Sequence, residues 1–231
     1  METETFYLKQ SECIEELGID GLKILQSDEL YRFTSDAIML SKFASAKKNE
    51  RLADFCSGSG IVALHFYALH SGIVESADLF EIQPPLAKMS ERSIALNKLE
   101  GKFTVHNTPL QEIGREFDGA FSLVLCNPPY ERAGTGEANA DDSTRIARHE
   151  VAITLDEIIT IAAKKLKFGG RLCMCHRADR LADIICSMRA SGIEPKRIRY
   201  AGAKNKPPYL VFLEGVRGGK PGMITELPFE N

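Results

Sequence analysis

Asn127-Pro128-Pro129-Tyr130 closes the apolar run Phe121-Ser122-Leu123-Val124-Leu125-Cys126. Asn127 brings an amide oxygen that accepts a hydrogen bond from an amino group, and Pro128 adds a free carbonyl beside it. Tyr130 brings a flat face for a planar ring. These residue types suit the gripping of an amino group conjugated to an aromatic base. Taken alone, the same four residues fit equally well a loop after a buried strand. A second cluster, Asp54-Phe55-Cys56-Ser57-Gly58-Ser59-Gly60, lies upstream. Its glycines permit a tight turn and close approach of the backbone to a ligand.

The two clusters need elements to hold them. The run 121–127 is continuously apolar, which predicts a buried parallel strand, and two prolines force the chain out of the sheet at its carboxyl end. Strands are also predicted over 51–56, 77–82, 103–107 and 171–176. Helices are predicted over 60–70, 84–98 and 179–190, the second opened by Pro84 and Pro85. A further helix over 154–167 starts with a Thr154/Glu157 capping box and is expected to stop at Gly169-Gly170. Alternation of this kind means an α/β fold: a Rossmann-like, mostly parallel, doubly wound sheet. Two late strands, 196–201 and 209–216, have no helix between them and are expected to pair as an antiparallel C-terminal hairpin. The 231 residues fit one domain over 1–231, with 1–50 as an N-terminal arm and cap.

In this fold ligands sit at the carboxyl ends of the strands, and three candidate groups fall on that rim. Gly58-x-Gly60-x-x-Ala63 fits the dinucleotide fingerprint, which is weak by itself. Asp54, inside the turn, would meet a ligand's ammonium group and repel a diphosphate, which favours S-adenosylmethionine over a nicotinamide dinucleotide. Glu81, ending its strand, is placed to accept from both ribose hydroxyls. Asn107 is placed to bond an adenine edge, though it also reads as a turn asparagine before Thr108-Pro109. Asp36, after Phe33-Thr34-Ser35, is read first as a helix N-cap and second as a cover for the cofactor.

Composition narrows the setting. Hydrophobic content of 44% with 26% charged residues describes an ordinary globule. No apolar stretch approaches the ~20 residues of a membrane span, and the acidic, polar Met1-Glu2-Thr3-Glu4 does not resemble a secretory signal, so a cytoplasmic protein without a membrane partner is expected. Cys13, Cys56, Cys126, Cys173, Cys175 and Cys186 lack paired CxxC spacing, which predicts reduced thiols and no metal site. Net charge is −3, but Glu194–Lys220 holds seven basic residues against two acids. That stretch is either solvated surface or a phosphate-tracking patch.

The chain resembles the class I, Rossmann-like methyltransferases of the amino-methylating branch. Within them it is similar to the bacterial tRNA(Val) adenine-N6 methyltransferases that act at position 37. The likeness runs through Arg32-Phe33-Thr34-Ser35-Asp36-Ala37, the Asp54–Gly60 turn, Glu81-Ile82-Gln83, Arg92-Ser93-x-x-x-Asn97 and Asn127-Pro-Pro-Tyr130. It continues in Ile146-Ala147-Arg148-His149-Glu150 and the tail Glu214-Gly215-Val216-Arg217-Gly218-Gly219-Lys220. One departure is Asn107, where the family usually carries aspartate. The resemblance implies a monomer that methylates the exocyclic amine of adenine in a tRNA anticodon loop. It implies cofactor contacts from Asp54, Ser57, Gly58, Gly60, Glu81, Ile82, Asn107 and Asn127. Asn127, Pro128 and Tyr130 become catalytic, with Tyr130 stacking on a base unstacked from its loop. Pro129, Tyr130, Arg148, His149, Arg197 and Arg199 become substrate contacts.

Other readings share parts of this pattern. A protein glutamine N5-methyltransferase uses the same four-residue signature but normally has a helical N-terminal substrate domain, against some fifty residues here. An rRNA amino-methyltransferase shares the signature too. A SAM-sensing RNA-binding module would not need Asn127 and Tyr130 intact. A nicotinamide oxidoreductase is opposed by Asp54.

Overall fold

The computed structural model describes residues 8–19, 21–30, 32–130 and 153–229. Its main sheet follows the predicted alternation. Strands β3 (Glu50–Phe55), β4 (Val74–Phe80), β5 (Phe103–His106), β6 (Phe121–Cys126) and β7 (Leu166–Arg177) are mutually parallel where they pair. Every residue of β6 is buried, as its unbroken apolar run requires. Helices α2 (Ile61–Leu69), α3 (Pro84–Leu96), α4 (Leu155–Lys165) and α5 (Leu181–Ala190) connect or follow the strands. Two apolar cores lie against the sheet, one including Phe66 and Leu123, the other Phe80 and Phe121.

With β8 (Ile193–Ala201), β9 (Leu210–Arg217) and the short β10 (Ile224–Thr225), the strand order is β10-β8-β9-β7-β6-β3-β4-β5. The chain runs outward from β3 to β4 and β5, then returns to the other side of β3 as β6. The topological switch point therefore lies between β3 and β6, where an open sheet opens its ligand crevice. The late hairpin is antiparallel as expected, and β9 inserts between β8 and β7, antiparallel to both.

Two expectations change. The helix after Thr154 has its capping box, but it ends at Lys165, before Gly169-Gly170. Leu166 is already extended and pairs with Phe121, because burying that leucine in the ladder outweighs one more helical turn. Gly169, at φ +76°, then sits in the strand where the β6–β7 register shifts.

The N-terminal arm is also more ordered than an arm. Glu12–Glu16 (β1) and Lys23–Ser27 (β2) form an antiparallel hairpin. Ser93 and Asn97, four residues apart on one face of α3, hold it there. Leu25 N–H donates to Ser93 Oγ at 3.0 Å, Lys23 N–H to Asn97 Oδ1 at 2.9 Å, and Asn97 Nδ2 to the Lys23 carbonyl at 2.6 Å. Arg92 closes the contact on Glu12. The Arg92-Ser93-x-x-x-Asn97 pattern is thus a docking face for the hairpin that leads into α1 (Ser35–Phe43).

Candidate active site

The turn after β3 is shaped by backbone that ordinary side chains avoid. Cys56, Gly58 and Gly60 have φ of +57°, +55° and +82°. A Cβ on Gly60 would stand 3.0 Å from Leu79 Cδ2 and 3.2 Å from Ser90 Oγ, so glycine suits the tight fit as well as the φ. Glu81 clamps the turn: its carboxylate accepts Gly58 N–H at 2.8 Å and Gln83 N–H at 2.9 Å. Burial raises its pKa and those backbone donors oppose the rise.

Asn107 is exposed, and its Nδ2 donates to the carbonyls of Glu81 (2.8 Å) and Ile82 (3.0 Å). Its amide nitrogen is spent on the protein, which leaves Oδ1 as the group a ligand can meet. Aspartate could not make those two bonds. Ile82, 38% exposed at the end of β4, supplies apolar surface beside it.

Asp54 lies deeper than expected. It is 1% exposed and accepts Ala63 N–H at 3.1 Å, beneath the start of α2 rather than inside the turn's mouth. Its other oxygen, Oδ1, is buried without a partner, as is Ser57 Oγ. Desolvation, eased by Ala63 N–H and reinforced by the nearby Glu81, pushes the Asp54 carboxyl up to about 8. A narrow cavity of about 40 Å³ lies over this turn, lined by residues that include Phe33, Ser57, Gly58, Val62 and Asn127.

Asn127 ends β6 directly across the switch point, and it is joined by a residue 91 positions away. The Tyr130 hydroxyl lies 2.6 Å from Asp36 Oδ2, 2.6 Å from Asn127 Oδ1 and 3.1 Å from Cys175 Sγ. Asn127 Nδ2 faces the same Asp36 oxygen at 3.4 Å. The hydroxyl has one proton, and the carboxylate is its strongest acceptor. Donation to Asp36 frees Asn127 Oδ1 for another donor, while Nδ2 facing Asp36 fixes which way the amide points. Asp36 is therefore not the N-cap of α1: that position is Thr34, whose hydroxyl bonds to Asp36. The helix presents Asp36, 5% exposed, to the strand-end residues.

Tyr130 is turned inward, with its ring tilted on His176 at 5.3 Å. Burial raises its pKa well above the phenol range, so it stays protonated. Burial, with Arg180 adding to it, brings His176 down to about 4, and its Nδ1 accepts Arg177 N–H. The imidazole is neutral. Pro128 is buried and Pro129 exposed. Beyond Tyr130 opens a cavity of about 550 Å³, lined by Thr34–Asp36, Tyr130, Arg177, Asp179 and Pro208–Leu210. The Asn127–Tyr130 pair stands between the two cavities.

The two arginines expected in a phosphate patch are otherwise engaged. Arg197 bonds the Phe43 carbonyl at 2.6 Å, pairs with Glu214 (3.3 Å) and Glu226 (3.2 Å), and lies 4.6 Å over the Phe43 ring. Arg199 lies 3.8 Å over the Phe229 ring. Arg197 is thus engaged by aromatic and acidic neighbours and Arg199 by an aromatic one, within the fold. Arg148 and His149 lie outside the described residues. Asp36 and Tyr209 both line the larger cavity, and the motifs point to neither in that role. Asp36 had a local explanation as a cap, and Tyr209 stands in no motif.

The rim sets the glycine turn and Glu81 against Asn127 across the switch point, the arrangement expected of a methyltransferase. The chain belongs to the methyltransferase small domain family, whose profile matches residues 34–184. It is 22% identical to the tRNA1(Val) (adenine(37)-N6)-methyltransferase of Parabacteroides distasonis over 78% of this chain and 74% of that protein. Identity is also 22% to the protein of that name from Dickeya chrysanthemi, over 93% and 78%. With the one from Erwinia tasmaniensis it is 23%, over 73% of this chain and 61% of the relative. Solved structures with the same fold include P. horikoshii TYW2 in complex with MeSAdo (TM-score 0.64, 15% identity, 91% of this chain and 73% of that one). Another is Methanocaldococcus jannaschii Trm5 with adenosine (TM-score 0.62, 14% identity, 92% and 57%).

Proposed function

We propose that this protein transfers the methyl group of S-adenosylmethionine to the exocyclic N6 amine of an adenine in tRNA, at position 37 of a valine tRNA. The observation that carries the reading is the placement of Asn127: it lines the glycine-turn cavity, while Tyr130, whose hydroxyl touches its amide oxygen, lines the larger one, and Pro128 lies between them in the chain. The three relatives reported above, each named for that reaction, support it. We assign the whole chain to one domain acting as a monomer, with residues 1–50 as arm and cap.

The residues of the rim fit the cofactor. Gly58 and Gly60 let the backbone of the turn approach a ligand closely, Glu81 ends its strand beside that turn where the ribose hydroxyls would lie, and Ile82 with the Asn107 side-chain oxygen suits an adenine. The buried, unpartnered oxygens of Asp54 and Ser57 suit a polar, cationic end. When bound, S-adenosylmethionine supplies a methyl group made electrophilic by its sulfonium.

The acceptor amine is a poor nucleophile because its lone pair is delocalised into the ring. Two acceptors, Asn127 Oδ1 and the Pro128 carbonyl, hold its two protons and favour a pyramidal nitrogen with its lone pair free. Asp36 takes the single proton of the Tyr130 hydroxyl, so that Asn127 Oδ1, though 2.6 Å from that hydroxyl, keeps its acceptor capacity for the amine. Alignment of the amine supplies much of the acceleration, and no strong base is needed. The surplus proton leaves to water in the larger cavity.

The test is transfer of labelled methyl to unmodified total tRNA, followed by nucleoside analysis. N6-methyladenosine in a valine tRNA is the expected product. Label in purified release factor, with none in tRNA, would overturn the reading in favour of glutamine methylation.

A further inference from the structure

Pro208 and Tyr209, at the end of the turn joining β8 and β9, line the larger cavity together with Tyr130. The residues of that turn, Ala203-Lys204-Asn205-Lys206-Pro207-Pro208-Tyr209, are all exposed. No acidic residue occurs between Gly202 and Leu213, so Lys204 and Lys206 stand without a carboxylate in their own segment. Tyr209 is 56% exposed although Leu210, next to it, is buried at 4%.

The turn is held firmly. Tyr209 N–H donates to the Ala201 carbonyl at 3.1 Å, and the Tyr209 carbonyl accepts Ala178 N–H at 2.9 Å. Lys206 N–H closes on Ala203 at 3.0 Å, with Asn205 at φ +61°. An exposed aromatic ring on backbone pinned from both sides is a preorganised platform, and it loses little freedom when a planar group lies on it. Tyr130 cannot serve alone in that role, because its hydroxyl is anchored on Asp36 and its ring tilts on His176.

Resting on the reading of a nucleic-acid acceptor, we propose that this turn is the acceptor-recognition element. Tyr209 stacks on the unstacked target base as it enters the cavity, and Lys204 and Lys206 take phosphates of the same strand. Aromatic stacking with adjacent cations is how sequence-tolerant single-strand binding is built. This moves the phosphate contacts from Arg197 and Arg199 to the hairpin's tip.

The experiment uses the full chain and a synthetic valine-tRNA anticodon stem-loop, with adenine or 2-aminopurine at the target position. Tyr209→Ala should weaken RNA binding by about tenfold to a hundredfold, and Tyr209→Phe by less than about threefold. Donor binding, read by calorimetry, should be the same in both variants. The 2-aminopurine probe should stay quenched on the wild type and brighten on Tyr209→Ala. Reversing both lysines to Glu should make the slope of log affinity against log salt shallower by about 1.4, two single-strand contacts at ~0.7 each. Wild-type activity on RNA with an unimpaired Tyr209→Ala would overturn this proposal and leave the proposed function standing. A wild type that labels a protein acceptor and no RNA would overturn both.

Discussion

The two sides of this rim, which we assign to the methyl donor and to the acceptor, are built by different means. On the donor side, residues 54–60, 81–82 and 107 come from the ends of three adjacent strands, and their bonds are largely to one another's backbone. On the acceptor side, Asp36, Asn127, Tyr130 and Cys175 come from a helix, a strand end and a neighbouring strand, and their bonds run between side chains. A backbone-built site is fixed as soon as the strands pair. A side-chain site depends on several distant elements docking correctly, so single substitutions there should change rate without changing donor affinity.

The largest expected effect follows from that difference. Asn127→Ala should lower turnover by about a thousandfold or more, within the range for loss of a positioning and proton-holding group. Donor affinity should stay within about threefold, measured by calorimetry beside methyl transfer. Loss of both together would show that the two sides are one unit.

Asp36→Asn is the next test. An amide accepts the Tyr130 hydroxyl less strongly than a carboxylate does, and it can itself donate toward Asn127. The hydroxyl then competes for Asn127 Oδ1, and turnover should fall about tenfold to a hundredfold with donor affinity unchanged. A variant as fast as the wild type would return Asp36 to a purely structural place in α1.

On the donor side, Gly60→Ala should cost about 1–2 kcal/mol for its left-handed φ alone, and more if Leu79 and Ser90 cannot give way. The effect should appear in the melting temperature and in donor affinity together. A change in turnover with donor saturating would contradict this separation of the two sides.

The same division explains what the sequence revealed. The parallel strands, the glycine turn and the strand-end Asn127 are local patterns, and the structure places each of them on the rim. Asp36 sits where a capping residue would sit, so its local context hid a contact 91 residues away. The basic stretch 194–220 showed its charge but not its direction. Arg197 and Arg199 are drawn onto Phe43 and Phe229, while Lys204 and Lys206 remain outward. The β1–β2 hairpin escaped notice because its five-residue strands carry mixed polar and apolar residues. Arg92, Ser93 and Asn97 on a distant helix reveal why it stays folded.

The smallest expected effect tests how the donor side handles charge. Asp54 has its pKa raised to about 8 by burial, so it is largely protonated at pH 7. In the unfolded chain its pKa returns to about 4. Its contribution to stability is therefore complete below about pH 4 and is lost as pH rises toward and through 8. The melting temperature without donor should accordingly fall over pH 6 to 9 more steeply in the wild type than in Asp54→Asn. If Asp54 Oδ1 meets the donor's ammonium group, pairing requires the carboxylate, and a proton must be released on binding below pH 8. Donor affinity should then rise with pH by up to about tenfold per unit on the acid side. It should turn over near pH 8, where an α-amino group loses its own charge. Asp54→Asn should lose the acid limb and keep the alkaline one. An acid limb that survives the substitution would place the titrating group elsewhere, with Glu81, also raised by burial and close to the turn, as the next carboxylate to replace.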